Sequence, residues 1–112
     1  MNGSKERLQN KLKRFRHYNI VIGHHAIKRM ALRKVEESDI INNLRKPEKL
    51  GLYERIDSRF ESEEKYKCWF FYGKRLVHIY VFAINSEREE IFVVTAMKNR
   101  LDAQRRFEKN AK

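Results

Sequence analysis

The sequence predicts a single α+β domain in which a helix pair packs on an antiparallel sheet, preceded by a basic N-terminal helix. Apolar residues recur at helical spacing up to residue 47, and from residue 50 they alternate as strand residues do. Gly73 and Lys74 separate two aromatic-rich runs, which indicates a β-hairpin. A chain of 112 residues has the size of one domain.

The chain is strongly basic, with 26 Lys and Arg residues against 15 Asp and Glu residues and a net charge of +11. This charge favours nucleic acid or an acidic protein as partner, and the alternative is a solvated surface. The single cysteine, Cys68, excludes an intramolecular disulfide and is more typical of a core residue than of a nucleophile. No stretch has the pattern of a signal peptide or membrane span, so we expect a cytoplasmic protein.

A first helix is expected over residues 4–17, where Leu8, Leu12 and Phe15 recur at i, i+4 and i+7. Most of its other residues are basic, which favours phosphate binding; the alternatives are an amphipathic membrane-surface helix or an ordinary docked helix. The candidate nucleic-acid contacts along the chain are Lys11, Lys13, Arg14, Lys28, Trp69, Lys74, Arg75, Lys98 and Arg100. The expected divisions are a basic helical arm (1–17), a core (18–98) and a basic C-terminal tail or helix (99–112).

The next helix is predicted over residues 24–33, after a short strand and a glycine that allows the turn. His25, Arg29 and Arg33 recur every four residues and so form one row along a flank of this helix. A different face is apolar and suits packing on a sheet. A second helix follows, with acidic residues in its first turn and Pro47 near its end.

Three strong strands are predicted after residue 64, and a weaker one over residues 50–56. A two-residue turn at Gly73-Lys74 would pair Tyr72 with Arg75, and this register sets which side chains share a face. Facing the helices are three cross-strand pairs, Tyr66 with Val81, Cys68 with Ile79, and Phe70 with Val77. The opposite side then carries Lys67, Trp69, His78, Tyr80 and Thr95.

These residue types suit RNA cleavage without a metal. Histidine transfers protons near neutral pH, arginine binds phosphate oxygens with a fixed fork, and aromatic rings stack on splayed bases. The candidate catalytic residues are His25, Arg29, Arg33, Lys67, His78, Tyr80 and Thr95. No metal-ligand spacing accompanies the four histidines, so neither metal nor cofactor is expected.

Each candidate also has a structural interpretation. His25 can cap or pack at the start of its helix, and the two arginines of the row can pair with nearby glutamates. His78 in a central strand can be a hydrogen-bonded core residue. Tyr80 and Trp69 can be ordinary packing groups.

Residues 22–47 resemble a family known as a domain of unknown function. The motif is carried here by His25-Ala26, Arg29-Met30, Arg33, Val35 and Arg45-Lys46-Pro47-Glu48, and the run VVTAM at 93–97 resembles the closing strand of that family. The resemblance covers residues 20–98. Three positions depart from it, because Gly23 replaces a common Ser or Thr, Lys34 a usual Gly, and Met97 a frequent Tyr.

That family is similar in predicted architecture to RelE/ParE-like toxins and to barnase-like and colicin-like RNases. The resemblance implies a RelE-like α+β core and a metal-independent endoribonuclease of the toxin type. It implies RNA as substrate, free or on the ribosome, and an acidic antitoxin or immunity protein as partner. The alternatives are a nucleic-acid-binding protein without catalysis and a basic partner of an acidic protein.

Overall fold

The computed structural model describes residues 2–58 and 60–100. Its helices are α1 (Asn2–Lys13), α2 (His24–Arg33) and α3 (Glu37–Arg45), with 3₁₀ turns at His17–Asn19 and Pro47–Lys49. Its strands are β1 (Ile20–Ile22), β2 (Leu50–Ile56), β3 (Glu63–Tyr72), β4 (Leu76–Asn85) and β5 (Glu90–Arg100). The α+β class is confirmed. β5 extends past its predicted end to Arg100, so residues 99 and 100 of the expected C-terminal tail or helix (99–112) are strand, and the rest of that segment lies outside the described residues.

The five strands form one sheet in the order β1-β5-β4-β3-β2. All neighbours are antiparallel except β1 and β5, which run parallel. The sequence predicted a purely antiparallel sheet, whereas the observed sheet is mixed. A parallel pair needs a long crossover, and the chain between β1 and β5 supplies one by passing through both helices and three other strands.

The register of the β3–β4 hairpin differs from the predicted one by a single residue. Tyr72 pairs with Leu76, so the loop has three residues, and Gly73 occupies the left-handed region at φ +67°. One residue of slip exchanges the two faces of β4. Tyr66, Cys68 and Phe70 face the core as expected. Their partners, however, are Phe82, Tyr80 and His78.

One face of the sheet, the helix side, carries the hydrophobic core. The core residues are Leu8, Leu12, Ile20, Ala26, Val35, Ile40, Leu44, Leu50, Tyr66, Cys68, Phe70, Tyr80, Phe82, Ile84, Ile91, Val93 and Ala96. The opposite face, the outer face, carries alternate residues of the same strands. Its central members are Leu52, Lys67, Trp69, Phe71, Val77, Ile79, Val81, Thr95 and Met97.

α1 lies against α3 and the edge strand β2. Leu8 and Leu12 are buried, as their spacing predicted, whereas Phe15 packs partly against the core just after the helix ends. Lys11 forms an ion pair with Glu64 on β3, and this hydrogen bond is the largest cause of the lowered pKa of the Glu64 carboxyl. α1 is therefore a docked helix with a basic exposed surface.

The α2–α3 connection contains an unusual backbone conformation. Lys34 ends α2 in the left-handed region at φ +56°, and the N–H of Val35 donates to the Met30 carbonyl oxygen at 3.1 Å. α3 then begins with the expected acidic turn, where the Glu36 N–H donates to Asp39 Oδ2 at 3.2 Å. This turn holds Asp39 at the start of α3.

Candidate functional site

A hydrogen-bonded group of four side chains, the tyrosine network, lies on the helix side between α3 and strands β3 and β4. Asn43 Nδ2 donates to Tyr72 Oη at 2.6 Å and to Tyr80 Oη at 2.9 Å. Tyr80 Oη lies 2.6 Å from His78 Nδ1. Pairing of Tyr72 with Leu76 is what turns Tyr72, His78 and Tyr80 to the same face as α3.

The network is buried except at one member. Tyr80 is 0%, His78 3% and Asn43 4% exposed, whereas Tyr72 is half-buried. The Tyr72 ring lies on the His78 imidazole, with ring centroids 4.4 Å apart. A ligand would therefore meet the network first at Tyr72.

Burial keeps the network uncharged. Desolvation lowers the pKa of His78, Lys98 lowers it further, and Asp39 opposes both. Desolvation also raises the pKa of Tyr80, against the hydrogen bond from Asn43. A neutral imidazole whose Nδ1 accepts the Tyr80 hydroxyl proton carries its own proton on Nε2.

Two lysines stand beside the half-buried end of the network. Lys49 Nζ lies 5.3 Å from the centroid of the Tyr72 ring. Lys98 pairs with His78 across β4 and β5 and shares the helix side with it. The negative charge of the Asp39 carboxylate raises the pKa of both His78 and Tyr80. This end of the sheet therefore combines hydroxyl and imidazole groups with two ammonium groups.

α2 runs along β5 toward this end of the sheet. The N–H of Gly23, just before α2, donates to the Val93 carbonyl oxygen at 2.9 Å, and a Cβ on Gly23 would lie 2.7 Å from the Phe92 ring. α2 contacts β5, and the connection after α2 leads to Asp39, near His78 and Lys98. Ten helical residues span about 15 Å. The six strand residues from Val93 to Lys98 are five steps apart and span about 17 Å, so the two segments match in length.

The His25–Arg29–Arg33 row of α2 is exposed along its length. The N-cap residue is Gly23, which has no side chain, and no side-chain cap hydrogen bond is formed, so His25 does not cap the helix. Within residues 2–58 and 60–100 the one ion pair is that of Lys11 with Glu64, so Arg29 and Arg33 do not pair with the glutamates that follow α2. The row is free to bind a ligand. Lys28 is also exposed on α2.

Three predicted site residues lie elsewhere. Lys67, Trp69 and Thr95 are on the outer face, so the sheet separates them from His78 and Tyr80, with which the predicted register had grouped them. Thr95 pairs with Val81 instead of His78. Lys67 Nζ lies 5.1 Å from the Trp69 ring centroid, also on the outer face.

Met97 also lies on the outer face, opposite Ile79. The resemblance placed an aromatic residue at this position. In this fold its replacement by methionine removes no group from the helix side.

The other basic candidates are spread over the surface. Lys13 and Arg14 are exposed at the end of α1, beside a groove of about 540 Å³ that Arg7 and Arg55 also line. Lys74 and Arg75 are exposed in the β3–β4 loop. Lys98 and Arg100 extend along β5 on the helix side.

Sequence reasoning missed Asn43, Tyr72 and Lys49. Asn43 stands three residues after Ile40 and next to Leu44, on the apolar face of α3, which is a signal for a buried polar contact. Tyr72 was assigned to the core-facing strand without a partner for its hydroxyl. No pattern marked Lys49, because its position depends on the 3₁₀ turn after α3.

Comparison with known proteins identified no relative: no family model, curated protein or solved structure matches this chain. The described part of the chain contains no cluster of three or more His, Cys, Asp or Glu side chains that could hold a metal ion. Among its helices, none is long and apolar enough to cross a membrane.

Proposed function

We propose that this protein binds RNA and cleaves it without a metal, as a RelE-like endoribonuclease. The observation that carries the proposal is the helix-side position of His78 and Tyr80, on the same side as Lys98 and at the end of β5 toward which α2 runs. The net charge of +11 supports a polyanionic substrate. The basic surface of α1 offers further phosphate contacts.

The proposed reaction uses the 2′-hydroxyl of the RNA as nucleophile. That hydroxyl passes its proton to the exposed His25 imidazole, which lies in the same row as Arg29. Its oxygen bonds to the adjacent phosphorus, and the bond from phosphorus to the 5′-oxygen breaks as that oxygen takes a proton from solvent. Arg29 and Arg33 would bind the phosphate oxygens and stabilise the added charge, with Lys98 beside them. His78 would donate its Nε2–H to a phosphate oxygen at the same end of the sheet, and buried Tyr80 fixes its orientation through Nδ1.

The test is incubation of purified protein with total RNA, with and without EDTA. We expect the same defined cuts in both reactions.

Arg29→Ala should slow cleavage at least about tenfold while leaving the melting temperature near the parent value, since a phosphate contact stabilises the transition state by a few kcal/mol. Arg88→Ala is the matched control, because Arg88 is an exposed arginine in the β4–β5 loop, at the other end of the sheet. Absence of cleavage, or equal activity of the Arg29 variant, contradicts the proposal.

A second candidate function is nucleic-acid binding without cleavage. It is favoured by the burial of His78 and by the engagement of its Nδ1 with Tyr80, both of which are typical of a structural histidine. This candidate predicts binding that weakens steeply with salt and RNA that stays intact after long incubation.

A further inference from the structure

We propose that the Tyr72 hydroxyl is a hydrogen-bond donor for a phosphate group, and that Tyr72, Lys49 and Lys98 together form a phosphate-binding site at the open end of the tyrosine network. The inference rests on the proposed function, because it identifies the groups that would hold the RNA phosphate there. Its test can nevertheless be separated from that of RNA cleavage.

The argument begins with the direction of the hydrogen bonds. The Asn43 amide nitrogen has two protons, and the structure directs them to the two tyrosine oxygens. Tyr72 and Tyr80 are therefore both acceptors at their oxygens, and each retains its own hydroxyl proton. His78 Nδ1 lies 2.6 Å from Tyr80 Oη and accepts the Tyr80 proton when the imidazole carries its own proton on Nε2.

The proton of Tyr72 differs from that of Tyr80, because its one partner among the described residues is the neutral Tyr80 hydroxyl, whose oxygen already accepts from Asn43. Tyr72 is also the half-buried member of the network. A hydroxyl held in place by Asn43 at the open end of the network is a preorganised donor. A charged phosphate oxygen would accept its proton more strongly than the neutral Tyr80 oxygen does.

The surrounding charges select an anion. Lys49 Nζ is 5.3 Å from the Tyr72 ring centroid. The positive charge of Lys98 lowers the pKa of His78, and the Tyr72 ring lies against the His78 imidazole. The opposing charge is that of the Asp39 carboxylate, which raises the pKa of His78 and Tyr80. Its Oδ2 accepts the Glu36 N–H, and the positive end of the α3 dipole offsets its charge. Two ammonium groups and the Tyr72 hydroxyl donor therefore outweigh one carboxylate that already accepts a hydrogen bond.

The ring of Tyr72 fixes the direction of its hydroxyl. It lies on the His78 imidazole at 4.4 Å with an interplanar angle of 41°, and Lys49 lies over the ring. Substitution by phenylalanine retains these ring contacts and removes only the hydroxyl. Tyr72→Phe is therefore a clean test of the donor.

The experiment measures binding of inorganic phosphate to the full chain by calorimetry, for the parent, Tyr72→Phe and Tyr18→Phe. A hydrogen bond to a charged group accounts for about a tenfold to hundredfold change in affinity, so Tyr72→Phe should bind phosphate that much more weakly. Tyr18→Phe is the matched control, an exposed tyrosine in the His17–Asn19 turn, and should bind as the parent does.

Asn43→Asp provides a second variant with an independent prediction. The introduced carboxylate accepts protons only, so both tyrosine hydroxyls would donate to it and Tyr72 would no longer donate outward. We expect phosphate affinity to fall at least as far as in Tyr72→Phe. Phosphate binding by Tyr72→Phe equal to that of the parent overturns the inference, as does a parent that binds no phosphate.

RNA cleavage by the same proteins separates the two proposals. Phosphate binding that depends on Tyr72, with no RNA cleavage by the parent, supports the phosphate site and contradicts the endoribonuclease. Cleavage by the parent, with phosphate binding that is unaffected by Tyr72→Phe, supports the endoribonuclease and contradicts the role of Tyr72.

Discussion

His78 shows at the scale of a single residue how environment decides chemistry. From sequence it was one of four histidines, placed on the face opposite the helices. In the fold it contacts Tyr72 and Tyr80, which leaves it 3% exposed and uncharged near neutral pH. Composition could identify the imidazole as a candidate, but its protonation follows from burial, which depends on register.

Burial of His78 predicts a pH dependence of stability. Its folded pKa lies below the ordinary value of 6.5, chiefly because of desolvation, so the unfolded chain binds this proton more readily. The contribution of His78 to stability is therefore present above pH 6.5 and is lost as the pH falls through the window below it. In His78→Asn, the free energy of unfolding should fall less between pH 7.5 and 5.5 than in the parent. Urea denaturation at several pH values measures this, and equal pH dependences in the two proteins would contradict it.

Lys34 is a second residue whose effect follows from its backbone. It adopts φ +56°, where a residue with a Cβ is strained by about 1–2 kcal/mol and glycine is not. Lys34→Gly should therefore raise the free energy of unfolding by about 0.5–1 kcal/mol, after the larger entropy of the unfolded glycine chain is subtracted. Thermal unfolding checks this, with Lys34→Ala as the control that retains the strain. A Lys34→Gly protein less stable than Lys34→Ala would show that the residue is not strained.

At the scale of elements, the sequence predicted the helices and strands well and the sheet register poorly. The apolar period of α2 and α3, the acidic first turn of α3 and the aromatic strands are local patterns, and all appear where they were expected. The length of the β3–β4 loop is not a local pattern, because Gly73 allows loops of two or three residues equally. A single extra loop residue then moved His78 and Tyr80 to the other face.

The same limit explains how much of the candidate site was predictable. The α2 row could be read from its spacing, and it is exposed as predicted. Asn43, Tyr72 and Lys49 come from three separate elements, and only the packing of α3 on the β3–β4 hairpin brings them together. No single stretch of sequence contains all the residues of this cluster, so local patterns could not predict it.

The observed register predicts unequal costs for two valines. Val93 is fully buried on the helix side of β5, whereas Val81 is half-buried on the outer face of β4. Val93→Ala should lower the free energy of unfolding by about 2 kcal/mol, from two lost methyl groups and the cavity they leave. Val81→Ala should cost less than about 1 kcal/mol. Denaturant titration of both variants measures the difference, and a larger cost at Val81 would favour the two-residue turn.

At the scale of the whole molecule, positive charge lies on several surfaces. α1 carries exposed basic residues beside the groove shared with Arg55, α2 carries its row, and β5 carries Lys98 and Arg100. Lys11 differs from the other α1 cations, because it pairs with Glu64. A binding test of α1 should therefore leave Lys11 in place and change its exposed neighbours.

Salt dependence can show whether α1 belongs to the RNA-binding surface. Each phosphate contact contributes about 0.7 to the slope of log affinity against log salt for single strands, so replacing Arg7, Lys13 and Arg14 by glutamine should reduce that slope by up to about 2. These three side chains are exposed, and within the described residues none forms an ion pair, so the fold should be retained. Fluorescence anisotropy with a single-stranded RNA at several salt concentrations measures the slope.

The control replaces Lys65 and Lys67 on the outer face by glutamine, which should change the slope little if RNA binds the helix side. An unchanged slope in the α1 variant would remove α1 from the binding surface, and a larger change in the control would place RNA on the outer face.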